Sequence, residues 1–472
     1  MNFIIYDIGL LVIFAVFSSI LLYKKRKKLI YEGAFILYKT KWGINLIDRI
    51  GKNHKKTLNA LSYLSISLGY LLMISVIYLM IKTTYLYFTT SIAKQIKVPP
   101  IMPIVPYIDK LIPGFPSFYF VYFIVAIVIV ATVHEFAHGI FARCYNIKIK
   151  STGFAFLKYF PAFFGAFVEQ DEKQMPKRKK LEQMSVLSAG VFANLLTAIL
   201  FLIALVLFFS LTFSSGGVMF TTYSYSIVNI SDIYSVNGIS IDEPDYEKIL
   251  LNTEEGVLNN ISSKERNYLI TREDLGKQKS DYGILVLYDD APAIRENISN
   301  LISEINGVEI KSLKELENEI SKYSPGDSIK IKSKKEDFSR EYEIILEENP
   351  HNNKPWIGIG FESIDSSGIL GKIRWLISYF KNPYVYYKPD FKISLFVYDF
   401  LWWIILINFA VALFNMLPIG ALDGGRFFYL TLLGLTKSEK IAKKCFSLAT
   451  FFIFFLFLLL MVRWISIFLF KL

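Results

Sequence analysis

The chain has 472 residues, 53% of them hydrophobic and 16% aromatic, with a mean hydropathy of +0.40; that excludes an ordinary soluble protein and points to several membrane spans with some soluble mass. The net charge is +11, but the basic residues cluster in short loops beside apolar segments, so membrane topology explains them and no nucleic-acid partner is expected. Two cysteines, Cys144 and Cys445, lie at the ends of apolar segments and give no disulfide framework.

A span needs about 20 mostly apolar residues. Six segments qualify, at roughly 3–23, 60–82, 118–142, 184–213, 397–419 and 445–469. The first lacks the basic start and small-residue cleavage site of a signal peptide. Its charges follow it, as Lys24, Lys25, Arg26, Lys27 and Lys28. The loops 24–59, 143–183 and 420–444 are all rich in Lys and Arg. They fall on one side if six spans alternate, which makes that side the cytoplasmic one. Both termini and the polar insert 214–370 are then extracytoplasmic.

The expected class is therefore a polytopic α-helical membrane protein of about six transmembrane helices, with an extracytoplasmic α+β domain inserted between the fourth and fifth. The expected divisions are 1–95, two accessory spans with a basic loop; 96–213, a first core half with a membrane-associated hairpin; 214–370, the insert; 371–440, a second core half; and 441–472, a last span. Within the insert, residues 281–346 read as strand, short helix, strand, an Asn306-Gly307 turn, an amphipathic helix with Leu313, Leu316 and Ile320, then a hairpin. "IYSVNGISIDEPDYEKIL" upstream is a weak copy of "ISEINGVEIKSLKELENEI", which leaves one interrupted module or two related ones. The alternative is a generic α+β domain. The pattern resembles a PDZ domain, whose sheet edge accepts an extended peptide as an added strand.

"ATVHEFAHGI" (Ala131 to Ile140) lies inside the third span. His134 and His138 are four apart, which puts both imidazoles on one helix face, one turn apart, close enough to share a metal. Glu135 adjoins the first of them, where it can hold a water without ligating. Imidazole suits zinc. The alternative, two buried histidines bonded to neighbours, is weakened by the membrane setting, where ionisable groups are costly and usually functional. Catalytic zinc takes three protein ligands. His54 and His351 lie in a basic loop and in the insert, so a carboxylate is sought. "NMLPIGALDGGRFF" (Asn415 to Phe428) supplies Asp423 at the inner end of the fifth span, where Pro418 breaks the helix. His134 is 16 residues into the third span, about 24 Å at 1.5 Å per residue, and Asp423 lies similarly far along a span of the same direction.

HEFAH in one span, "SAGVFANLL" in the next and Asn415-x-x-Pro418-x-x-x-x-Asp423-Gly424 in a later one together resemble the site-2 protease family of intramembrane zinc metalloproteases. So do "GAFVEQDE" after the HEFAH span and a PDZ-like insert. One departure is Val191, where many members carry proline. The resemblance implies that His134, His138 and Asp423 ligate Zn2+. It implies Glu135 as general base and then proton donor. Asn194 and Asn415 would be polar groups that hold the substrate backbone or the oxyanion, the alternative being a hydrogen bond between helices. It implies hydrolysis of a peptide bond in or near the span of a single-span or membrane-anchored protein in the lipid bilayer, as in regulated intramembrane proteolysis. The competing readings are a zinc-binding pseudoprotease and a metal-handling membrane protein. "AFFGAFVEQ" alternates and suggests a membrane-dipping hairpin whose edge pairs with an unwound substrate; an amphipathic interfacial linker is the alternative.

Overall fold

The computed structural model describes residues 3–90, 99–112, 115–278, 283–335, 338–350, 352–362 and 368–470. It divides into two compact units, Met1–Phe209 with Leu395–Leu472, and Ser210–Ser394.

The first unit is helical. Its helices are α1 (Phe3–Lys25), α2 (Ile44–Asn53), α3 (Lys55–Thr89), α4 (Phe120–Cys144), α5 (Lys180–Thr212), α6 (Ser394–Asn415), α7 (Asp423–Thr436) and α8 (Glu439–Phe470). All but α2 and α7 are long and apolar enough to cross a membrane, six in number among the described residues. The chain is a multi-pass membrane protein. Four of the helices, α1, α3, α5 and α8, outrun the apolar segments, because polar flanks such as Lys55 and Lys56 continue a helix once the apolar stretch has nucleated it. Residues 420–444, read as an inner loop, instead contain α7. The fifth span ends at Asn415, before Pro418, and the chain turns through Met416–Leu422 into the new helix. Gly424 and Gly425 make that turn possible. A Cβ on Gly424 would lie 2.3 Å from the Met416 carbonyl carbon, and one on Gly425 would lie 2.1 Å from the Ile419 oxygen.

A four-stranded antiparallel sheet joins the helices, in the order β1 (Leu29–Glu32), β2 (Phe35–Thr40), β3 (Ile149–Leu157), β4 (Phe164–Gln170). The sequence pattern anticipates the β3–β4 hairpin. It does not anticipate β1 and β2, which lie within the basic segment 24–59. Lys39 of β2 pairs with Glu169 of β4 at 2.7 Å. β4 is an edge strand, and it packs on α4.

The first span is more than an accessory. Asp7 of α1 is 2% exposed. Its carboxylate accepts hydrogen bonds from Phe120 N (2.6 Å), Val121 N (3.0 Å) and the Tyr107 hydroxyl (2.8 Å). It thus caps the helix that carries the histidines, satisfying amide groups that a helix start leaves without partners. Asp7→Ala is expected to cost about 2–3 kcal/mol, since bonds to a carboxylate are among the stronger ones and their loss strands buried donors. A thermal midpoint in detergent that does not fall would contradict this role.

The second unit contains the strand–turn–strand–helix–hairpin pattern twice. One copy runs Ile233–Val236, Ile239–Ser240, Tyr246–Leu251, Leu258–Ser263 and Asn267–Thr271. The other runs Glu304–Ile305, Val308–Glu309, Leu313–Ile320, Ser328–Lys335 and Phe338–Ile345. Both turns are Asn-Gly with positive φ at both residues, the two-residue turn that matches strand twist. Each helix is capped by its own side chain, Asp245 to Lys248 N and Ser312 to Glu315 N. Each copy has its own apolar core, around Ile249 and Ile261 in one and around Leu316 and Ile331 in the other. The weak sequence copy is therefore a second module. The unit continues past residue 370, because Val385–Pro389 returns to pair with Phe213–Met219.

Candidate metal centre

α4 brings His134 and His138 to one face, and the turn after α6 delivers Asp423 at the first residue of α7. Asp423 Oδ2 lies 3.2 Å from Nε2 of each histidine, and the two Nε2 atoms are 3.0 Å apart. Among the described residues these three form the one group of His, Cys, Asp or Glu that could hold a metal. His351 lies outside the described residues. Both histidines are 7% exposed.

The third helix against this site is α5. Val186, Gly190 and Asn194 recur every fourth residue and form one stripe facing the imidazoles. The Val186 carbonyl is 2.7 Å from His138 Nδ1. It can only accept, so Nδ1 carries the proton and Nε2 keeps its lone pair. Gly190 lies beneath both rings; a Cβ there would be 2.5 Å from His138 Nε2 and 2.6 Å from His134 Cε1. Asn194, fully buried, has its amide 3.1 Å from His134 Nδ1, and its Oδ1 has no partner. Turning the amide so that Oδ1 accepts from Nδ1–H serves both groups and frees the Nε2 lone pair of His134. Two imidazole lone pairs and a carboxylate oxygen then converge within 4.8 Å. Such a set is repulsive alone and fits a small divalent cation, with room for a fourth ligand.

A cavity of about 340 Å³ opens on this group, bounded by His134, Glu135, Asn415, Asp423, Phe164 and Gly165 among others. Asn415, at the end of α6, is 3.5 Å from His134 Nε2. It faces the cavity, whereas Asn194 sits behind the imidazole and does not line it. Glu135 Oε2 accepts from Val168 N of β4 at 2.9 Å, which fixes it beside the edge strand. Sequence reading missed Val186 and Gly190, although their spacing from Asn194 was visible in "SVLSAGVFAN".

Comparison with known proteins bears on this arrangement. An uncharacterized protein of Methanocaldococcus jannaschii is 25% identical over 421 residues, covering 88% of this chain and 83% of that protein. Zinc metalloprotease RasP of Shouchella clausii is 24% identical over 180 residues, covering 32% of this chain and 43% of RasP; the match therefore spans less than half of that relative. The crystal structure of the PDZ domain of an SdrC-like protein from Listeria monocytogenes is 35% identical over 15% of this chain and 76% of that domain, with a TM-score of 0.14. The sequence model of peptidase family M50 matches residues 122–460, a range that takes in both the HEFAH helix and the Asp423 turn. The chain belongs to peptidase family M50.

Proposed function

We propose that this protein is a zinc endopeptidase that hydrolyses a peptide bond within or near the span of a membrane-anchored protein. The observation that carries the reading is the convergence of His134, His138 and Asp423 on one point, with Glu135 on the wall of the same cavity. Two imidazoles and one carboxylate are the ligand set of catalytic zinc with one position left for water.

His134, His138 and Asp423 hold the ion, which when bound polarises the scissile carbonyl and acidifies water. Glu135 takes a proton from the attacking water and returns it to the departing nitrogen. Asn415 is positioned to donate an amide N–H to the carbonyl oxygen as negative charge builds there. Asn194 and the Val186 carbonyl fix the two ring tautomers. A substrate helix hides its amide groups in its own bonds, so it must unwind first. The free edge of β4 offers the unwound strand hydrogen-bond partners at the mouth of the cavity. The Lys- and Arg-rich loops support a topology with the metal end of α4 on the cytoplasmic side and the insert and both termini on the other. The modules, read as PDZ-like, act as a filter on the outer part of the substrate.

Glu135→Gln tests this directly. The variant is expected to retain one zinc per chain by elemental analysis. Its cleavage of a membrane-anchored substrate should fall by a factor on the order of 10²–10⁴, the usual worth of a general base. In cell membranes it should accumulate its uncut substrate for crosslinking. A Gln variant that cleaves at the wild-type rate ends the proposal.

A further inference from the structure

Glu135 lines two cavities that share no other residue. One is the metal cavity. The second, about 20 Å³, lies on the sheet side, between Thr132 of α4, Thr40 at the end of β2, Trp42 just after it, and Thr152 of β3. That volume suits a single water, which needs roughly 10–15 Å³ and two to four polar partners. The partners are present. The Thr40 and Thr152 hydroxyls are 3.2 Å apart, and the Thr152 hydroxyl donates to the Trp42 carbonyl at 2.6 Å. Thr132 sits one turn before Glu135, and its hydroxyl makes no hydrogen bond among the described residues. Trp42, 67% exposed, lines the same pocket and packs its ring 5.7 Å from that of Phe136.

Peptide hydrolysis consumes one water per bond. Its oxygen goes to the acyl carbon as the C–N bond breaks. Both protons end on the leaving amine, the first of them through Glu135. With a substrate strand along β4, the metal cavity is filled from the membrane side, so replacement water has to come from elsewhere. Resting on the protease reading above, we infer that the threonine pocket holds one water against the far side of the Glu135 carboxylate and is the route by which each turnover is resupplied. Thr132 is a positioning residue of this route, acting through Glu135.

The test uses full-length protein and a synthetic single-span peptide carrying a fluorophore and quencher. Thr132→Val is expected to lower kcat about tenfold, the rate equivalent of one hydrogen bond, with KM and zinc content unchanged. Thr132→Ser is expected to restore it. A second readout needs neither metal nor substrate. In metal-free protein, the infrared difference between wild type and Glu135→Gln isolates the Glu135 carboxylate band; Thr132→Val should shift it and Thr132→Ser should not. Unchanged kcat and an unmoved band in Thr132→Val overturn the inference, as does a loss that serine fails to rescue or that comes with loss of zinc. If Thr132→Val does not fold, Thr40→Val on the opposite wall carries the same expectation and the same overturning outcome. Failure of the wild-type protein to cleave tests the protease reading, and the infrared arm still decides this one.

Discussion

Asp423→Asn is expected to abolish stable metal binding and, with it, cleavage. The substitution keeps the size and shape of the side chain and removes the one anionic group, among the described residues, in contact with both Nε2 atoms. Two neutral imidazoles and a carboxamide offer zinc no charge compensation in a site where each histidine is 7% exposed. Buried, water-poor surroundings magnify that deficit. Losing a group that merely orients a ligand typically costs roughly 10–100-fold in affinity, and loss of a ligand should exceed this. Zinc per chain after dialysis against a weak chelator should therefore drop to near zero. Lengthening the side chain is no remedy. Asp423 starts α7, and its neighbour Gly424 lies so close to the Met416 carbonyl that even a Cβ there would fall 2.3 Å from the carbonyl carbon; in so tightly packed a turn the extra methylene of Asp423→Glu displaces the carboxylate from the two Nε2 atoms, and the variant should bind zinc more weakly than wild type. Full zinc occupancy in Asp423→Asn would remove this carboxylate from the metal centre.

The site was more legible than the architecture around it, for physical reasons. Histidine is rare in this chain, only four residues, and a helix repeat of 3.6 turns the spacing of His134 and His138 into proximity. Carboxylates are rare in the spans, so Asp423 could be picked out, and the basic loops set the direction that brings it level with the histidines. Asp7 was overlooked because sequence gives no hint that α1 lies against the start of α4. The strands β1 and β2 escaped because their alternation is short and follows five consecutive basic residues, which read as a solvated loop. α7 escaped because two glycines open it and lysines follow it, a combination that argues against helix in isolation; here packing on α8 outweighs propensity. The second module in the insert was half legible. Its Asn-Gly turn and helix start repeat, but the strands are too short to count from pattern alone. Asn194 shows the limit of reasoning from residue type. A polar side chain in a span announces importance, and only its helical phase with Val186 and Gly190 distinguishes holding an imidazole from meeting a substrate.

That phase leads to the other large expected effect. Gly190→Ala should destroy the metal centre while leaving the fold nearly intact. The added methyl would sit 2.5 Å from His138 Nε2, 2.6 Å from His134 Cε1 and 2.7 Å from His134 Nδ1, all far inside van der Waals contact. α5 has little freedom to withdraw, because Ala189 and Val191 on either side are fully buried and Ser188 bonds to Ser65 of α3 at 2.7 Å. The rings must move instead. Moving them breaks the bonds to Val186 and Asn194 that orient the lone pairs. In folding terms two effects oppose each other. Overpacking costs about 1–3 kcal/mol, while alanine in place of a mid-helix glycine returns up to about 1 kcal/mol. The net loss of stability is therefore about 0–3 kcal/mol, too little to unfold a protein of ordinary stability. The misdirected imidazoles, by contrast, remove two of three ligands. The expected signature is a metal-free thermal midpoint within a few degrees of wild type, together with loss of zinc and of cleavage. Gly69→Ala on α3, whose nearest neighbour would be 3.2 Å away and not a ring of the site, is the control and should keep its zinc. If Gly190→Ala binds zinc as tightly as that control, α5 does not press on the histidines, and the account of how their tautomers are set has to be abandoned.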